Sequence, residues 1–239
     1  MSVTASATLS HLFAAYLIAV LPWLGRLRYR WLKQRLKDGG ARARVRFYRS
    51  VLAAQLGMVL IVLAIWRLGS IPAEAFGFTA PALSIPMIVA LAAFLISLVI
   101  SSLMLRRKGD RLLKRVIEMA GMLLPVSSAE RWLFALVAVG AGIAEELAFR
   151  GFLLFYLVPF LGIPGAVLAS SAVFGLGHIY QGIRGVLLTA AIGLFLATLY
   201  VLTGSLLVPI VVHAALDLRL LVIVTPDRLL KLSMAHPAA

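Results

Sequence analysis

The sequence predicts an all-α polytopic membrane protein, a bundle of about seven transmembrane helices with one amphipathic helix lying on the cytoplasmic surface. Three observations lead there. Of the 239 residues, 62% are hydrophobic and 13% charged, whereas soluble domains run about 45–50% apolar and about 25% charged. Apolar runs of the roughly 20 residues needed to cross about 30 Å of hydrocarbon recur along the whole chain. Basic residues, in contrast, gather in loops beside those runs.

The spans are expected near Leu9 to Leu24, Val51 to Leu68, Ala82 to Leu105, Trp132 to Leu161, Pro164 to His178, Val186 to Leu202 and Leu206 to Val224. Before the first run there is no basic residue, which argues against a cleaved signal peptide. Its one ionisable residue, His11, reads as an interfacial histidine or one satisfied by a neighbour. Trp23, Trp66 and Trp132 stand at span ends, where an amphipathic ring suits the interface. Between the third and fourth spans, Leu112, Leu113, Val116, Ile117 and Ala120 recur at helical spacing opposite Arg111, Lys114, Arg115 and Glu118, the pattern of a surface-lying helix. Ser127 followed by Glu130 resembles a capping box that starts the fourth span. That span is too long for one perpendicular crossing, so tilt or a break near Gly151 or Pro159 is expected. Residues 1–126 form an N-terminal set of helices, and 127–239 a second unit that holds the chemistry.

The formal net charge is +14, but its placement excludes a nucleic-acid partner. Ten Arg and Lys side chains lie between Arg26 and Arg49, and six more between Arg106 and Arg115. Both clusters flank apolar runs, as cytoplasmic loops facing anionic headgroups do. With these loops inside, the N-terminus lies outside and the turn at Arg184 and the tail with Arg228 and Lys231 lie inside. Such a protein belongs in a cytoplasmic membrane, expected to be bacterial. The chain has no cysteine, which removes thiolate metal sites and cysteine nucleophiles together.

Ionisable side chains in hydrocarbon are costly and mark function by default. Here they converge on three segments: Glu145, Glu146 and Arg150 in the fourth span, His178 at the end of the fifth, and His213, Asp217 and Arg219 in the seventh. Glu146 and Arg150 share a helix face and can pair. Glu145 points about 100° away, free to meet another partner as a general base. His213 and Asp217 make one polar stripe. Two histidines and a carboxylate from separate spans can meet, and from the residues alone the cluster is a hydrolase site, a proton or ion pathway, or a non-catalytic polar network that binds helices together. Gly140, Gly142, Gly151, Gly175 and Gly177 read as close helix packing. Arg184 and Arg219 read as snorkelling side chains near cytoplasmic ends.

Ala144-Glu145-Glu146-Leu147-Ala148-Phe149-Arg150-Gly151 resembles the Glu-Glu-x-x-x-Arg motif of the CAAX protease and bacteriocin-processing (CPBP, or Abi) family of intramembrane proteases. Phe174-Gly175-Leu176-Gly177-His178 resembles its second motif, and His213-Ala214-Ala215-Leu216-Asp217 its third. The resemblance implies an intramembrane endopeptidase acting on a membrane-associated protein or peptide. In that frame Glu145 and His178 activate a water, His213 and Asp217 position substrate or stabilise the oxyanion, and Glu146, Arg150 and Phe174 support them. Members that cleave prenylated CAAX proteins typically carry Asn where this chain has Asp217; an ionised Asp cannot donate to an oxyanion, and is expected instead to hold His213 by accepting its ring proton. The family is often labelled metalloprotease, and Glu145, His178 and His213 are the ligands a zinc ion would take. No His-Glu-x-x-His signature supports that label, and metal-free, glutamate-based hydrolysis is the favoured expectation, because four polar groups already suffice for base and oxyanion stabilisation. The alternatives are a proton- or ion-coupled carrier and a non-catalytic membrane binding or immunity protein using the same cluster.

Overall fold

The computed structural model describes residues 2–40, 42–108 and 121–225. Among the described residues every regular element is helical. The order is α1 (Ser2–Ala15), a π-helical turn (Tyr16–Val20), α2 (Leu21–Lys37), α3 (Ala43–Leu68), α4 (Ile85–Lys108), α5 (Ser128–Glu146), a second π-helical stretch (Leu147–Leu154), α6 (Phe155–Leu176), α7 (Gly182–Thr203) and α8 (Leu207–Ile223). Short 3-10 turns occupy Ala73–Phe76, Gly121–Leu123 and Ile179–Gln181. The expected amphipathic surface helix and the basic tail with Arg228 and Lys231 lie outside the described residues.

Five stretches are long and apolar enough to cross a membrane: Thr4–Lys37, Ala43–Leu68, Met87–Leu105, Ser128–Leu176 and Ile179–Thr203. The fourth holds 49 residues, about 73 Å if straight at 1.5 Å per residue. It is not straight. Gly162, between Pro159 and Pro164, takes φ 66° and ψ 173°, a backbone conformation open essentially to glycine alone. The break lies just past Pro159, while the π-helical stretch covers Gly151, the other position where the sequence places one. The helix α8, at 17 residues, falls just short of the other five.

The N-terminus of α5 is built as its sequence suggests, with one shift. Ser127 is extended and its Oγ accepts the Glu130 N–H at 3.3 Å, while the Glu130 carboxylate turns back and accepts the Val126 N–H at 2.8 Å. Two donors at the helix start are thereby satisfied, the second one residue further back than in the usual capping box.

Large apolar side chains cover the outside, among them Ile85, Val89, Ile96, Val99 and Met104 on α4. A patch of that extent is stable only against lipid or another apolar partner. Inside, Phe13, Leu17, Met58, Val62, Phe149, Phe152 and Ala197 form one core shared by both halves of the chain. At one end of the bundle the two connecting loops are stitched together: Ala82 N–H donates to Thr203 O at 2.9 Å and Leu206 N–H to Gly77 O at 3.0 Å. At the other end Arg44 donates to Met122 O, the Tyr48 hydroxyl to Leu123 O, and Arg131 to Leu221 O and Val224 O. His11 finds a neighbour, its Nδ1 lying 2.7 Å from the Tyr156 hydroxyl. Trp23 and Trp132 are exposed as interfacial rings would be. Trp66 differs: its indole N–H is buried without a partner among the described residues, and Phe78 and Arg67 pack against the ring.

Candidate active site

The three polar segments meet because α5 packs on α8 and α6 on α7. Glycines bring these helices together. A Cβ at Gly142 would stand 2.9 Å from Ile210 O of α8, and one at Gly175 would stand 2.7 Å from Val186 O of α7, both nearer than real Cβ atoms come. The reading of the small residues as packing devices therefore holds at these two positions.

The centre of the arrangement is Glu146, whose side chain is fully buried. Its Oε1 accepts from Arg150 Nη1 at 2.7 Å and from His213 Nδ1 at 2.6 Å. Arg150, 1% exposed, spends its other terminal nitrogen on Gly193 O at 2.9 Å and lays its guanidinium over the Phe174 ring at 4.5 Å. A buried cation in low dielectric survives only with such satisfaction. Phe174 also touches His213 edge-on and His178, so one ring spaces the arginine from both histidines.

The far side of His213 faces open space. Its Nε2 lies 3.9 Å from Glu145 Oε2 and 3.8 Å from Asp217 Oδ2. These separations exceed a hydrogen bond, so neither carboxylate takes Nε2 as a direct partner. The expectation that Asp217 holds the His213 ring proton is therefore corrected. Glu146 takes that proton, because it is the carboxylate on the Nδ1 side of the ring, and Asp217 is left 40% exposed at the edge of the site. His178 donates from Nδ1 to Phe174 O at 3.0 Å. A carbonyl only accepts, so Nδ1 carries the hydrogen and the Nε2 lone pair is free.

Glu145, His178, His213 and Asp217 all line one cavity of about 470 Å³. Tyr180, Gln181, Thr189 and Arg219 add to its polar wall, and Val51, Phe134, Ala138, Leu188 and Leu220 to its apolar wall. The volume and the mixed lining suit a peptide-sized ligand. Arg219, expected to snorkel, lines this cavity, its Nε buried and without a partner among the described residues.

Two contributors have no place in the sequence reading: Gly193, whose carbonyl seats Arg150, and Tyr180, whose ring stands 5.8 Å from His178. A glycine in the middle of the apolar helix α7 was a legible sign of close approach. Tyr180 was legible only as a neighbour of His178 in sequence.

A zinc ion would need Glu145, His178 and His213 as ligands. Among the described residues no three His, Cys, Asp or Glu side chains are gathered closely enough in this arrangement to hold one ion; the His213 Nδ1 bond to Glu146 does not bear on this, because an imidazole so held ligates through Nε2.

Residues 127–219 match the family model described as Rce1-like, Type II CAAX prenyl endopeptidase Rce1-like. The matched segment contains all three motifs and runs from the cap of α5 to Arg219, so it supports a membrane endopeptidase in general terms. No curated protein and no solved structure matches the chain.

Proposed function

We propose that this chain, Rce1-like over residues 127–219, is an intramembrane endopeptidase that hydrolyses a peptide bond of a membrane-associated protein or peptide. The observation that carries the reading is the His213 ring, held on one side by a buried carboxylate and facing Glu145 and Asp217 on the other, in a cavity that His178 also lines.

Glu145 is the general base. A water between it and the free Nε2 of His178 gives one proton to the carboxylate while its oxygen bonds to the substrate carbonyl carbon, and the carbonyl π pair moves onto oxygen. When the intermediate collapses, the C–N bond breaks and Glu145 returns the proton to the departing nitrogen, leaving a new carboxyl group and a new amine. His213 positions the substrate carbonyl with Asp217 beside it, and Glu146 and Arg150 fix the His213 ring. An apolar wall beside this polar one accepts apolar side chains of the substrate and limits the water that enters.

Residues 127–239 are the catalytic unit and 1–126 the helices that brace it. The break at Gly162 divides the 49-residue stretch into two crossings, and α8 supplies another, which brings the count to seven. Arg-rich loops rest on anionic headgroups of a cytoplasmic membrane, with the N-terminus outside.

The test is substrate trapping. Glu145→Gln and His178→Ala should accumulate in the membrane at the normal level and leave a partner protein uncleaved, which then copurifies with Glu145→Gln. Full biological activity in either variant, or activity that follows a pH gradient across the bilayer, would overturn the protease reading in favour of a carrier.

A further inference from the structure

Peptide hydrolysis places negative charge on the former carbonyl oxygen, and preorganised donors aimed at it supply a large share of the rate. Besides Arg219, whose Nε is without a partner among the described residues, the polar wall offers few of them. Glu145 and Asp217 only accept when ionised. The Tyr48 hydroxyl spends its one proton on Leu123 O, and the Gln55 amide spends one of its two N–H groups on Val137 O.

Tyr180 differs from these. It stands two residues beyond His178 in the turn Ile179–Gln181, lines the cavity with Glu145, His178, His213 and Asp217, and packs its ring 5.8 Å from that of His178. Its hydroxyl accepts from Gln181 Nε2 at 3.3 Å. A hydroxyl has one proton and two lone pairs, so the Gln181 contact occupies a lone pair and leaves the O–H unspent. Among the described residues no acceptor takes it.

The ring is also held in place. Tyr29 of α2 packs against it at 5.3 Å between centroids. Helix α2 comes this close at Gly25, where a Cβ would lie 3.3 Å from Gly177 O and 3.7 Å from the Tyr180 ring. A donor fixed from two sides loses little entropy at the moment of reaction, which is what preorganisation requires.

We infer that Tyr180 is a catalytic residue: its phenolic O–H donates to the oxyanion that forms when water adds to the substrate carbonyl, and Tyr29 and Gln181 position it. The proton stays on the phenol throughout. It strengthens its hydrogen bond as charge develops and relaxes when the C–N bond breaks. This inference rests on the endopeptidase reading, and it brings a helix outside the Rce1-like segment into the site.

The experiment uses the full-length protein in proteoliposomes and, as substrate, the membrane protein captured by Glu145→Gln. Tyr180→Phe keeps the ring contacts to Tyr29 and His178 and removes the hydroxyl, both the donor and the acceptor of the Gln181 contact. Its kcat should fall about 10²–10³-fold, the usual cost of one oxyanion donor, with KM and thermal unfolding unchanged. Tyr180→4-aminophenylalanine restores an N–H at the same place and should recover most of the lost kcat; it also serves if the phenylalanine variant proves unstable. Tyr16→Phe, at a tyrosine that does not line the cavity and packs on Phe13 instead, is the control, expected to match the parent protein. Parental kcat in a folded Tyr180→Phe protein, or no recovery with the amino side chain, overturns the inference while a dead Glu145→Gln leaves the endopeptidase reading standing. Cleavage that survives Glu145→Gln overturns that reading itself.

Discussion

Glu145 and Glu146 share one chemistry and are adjacent in sequence, yet the structure gives them different duties. Glu146 is enclosed and holds both Arg150 and His213, whereas Glu145 is 22% exposed and stands 3.9 Å from His213 Nε2, beyond a hydrogen bond. Glu146→Ala should therefore lose about 3–5 kcal/mol of stability, because it strands a buried guanidinium. Glu145→Ala should fold normally and be inactive. The double change Glu146→Ala with Arg150→Ala should regain part of the stability, since no charge is then left alone, but no activity, because His213 still lacks the acceptor that orients its ring. Thermal unfolding of the four proteins in detergent, paired with a cleavage assay, decides this. A stable, inactive Glu146→Ala beside an unstable Glu145→Ala would reverse the two assignments. The four-residue spacing made the Glu146–Arg150 pair legible in sequence. The third member, His213, was not legible as its partner: which carboxylate grips a histidine 67 positions away is set by how α5 and α8 rotate against each other, and helical periodicity says nothing about that.

At the scale of elements, the helices were legible wherever a long apolar run announced them, and the irregularities were legible only in part. Pro159 and Gly151 signalled a disturbance in the fourth span. The actual break falls at Gly162, because a chain hemmed by Pro159 and Pro164 turns where φ can become positive. The π-helical stretch Leu147–Leu154, which follows the two glutamates directly, had no sequence signal; such insertions are frequent at functional sites and depend on packing outside the helix. Close approach of α5 and α8 is what brings Glu146 to His213, and Gly142 permits it. Gly142→Ala would push its Cβ against Ile210 O and Ala214. One helix must shift, at about 1–3 kcal/mol for an overpacked contact, and the His213 Nδ1 bond to Glu146 should lengthen. The expected result is a folded protein with a modestly lowered unfolding temperature and a large loss of kcat. Gly57→Ala, where a Cβ meets nothing within 4 Å, should leave both unchanged. Equal activity in the two variants would show that the α5–α8 spacing does not set the site.

For the molecule as a whole, membrane orientation follows from which ends of the helices gather together. Arg44, Tyr48, the turn Gly121–Leu123, Arg131 and the C-terminal end of α8 are tied by hydrogen bonds at one end. The segment 77–82 is tied to 203–206 at the other. Helix α3 runs from the first end at Ala43 towards the second at Leu68, and α8 runs back. The first end holds the Arg-rich turn from α2 into α3, whereas Glu74 is the one charged residue between Arg67 and Arg106 in the sequence. Positive charge near span ends sets orientation through the cytoplasmic bias, worth about 1 kcal/mol per Lys or Arg at an anionic surface, and ten such residues between Arg26 and Arg49 far outweigh any competing signal. Reporter domains fused at Arg44 and after Lys231 should therefore report the cytoplasm, and one fused at Glu74 the opposite side. Replacing Arg42, Arg44, Arg46 and Arg49 together by Gln should weaken that preference and yield a mixed population, since Arg26 to Lys37 still pull the same loop inward. Finding Arg44 and Glu74 on one side would break the crossing of α3, and with it the placement of Glu145, His178 and His213 within a spanning bundle.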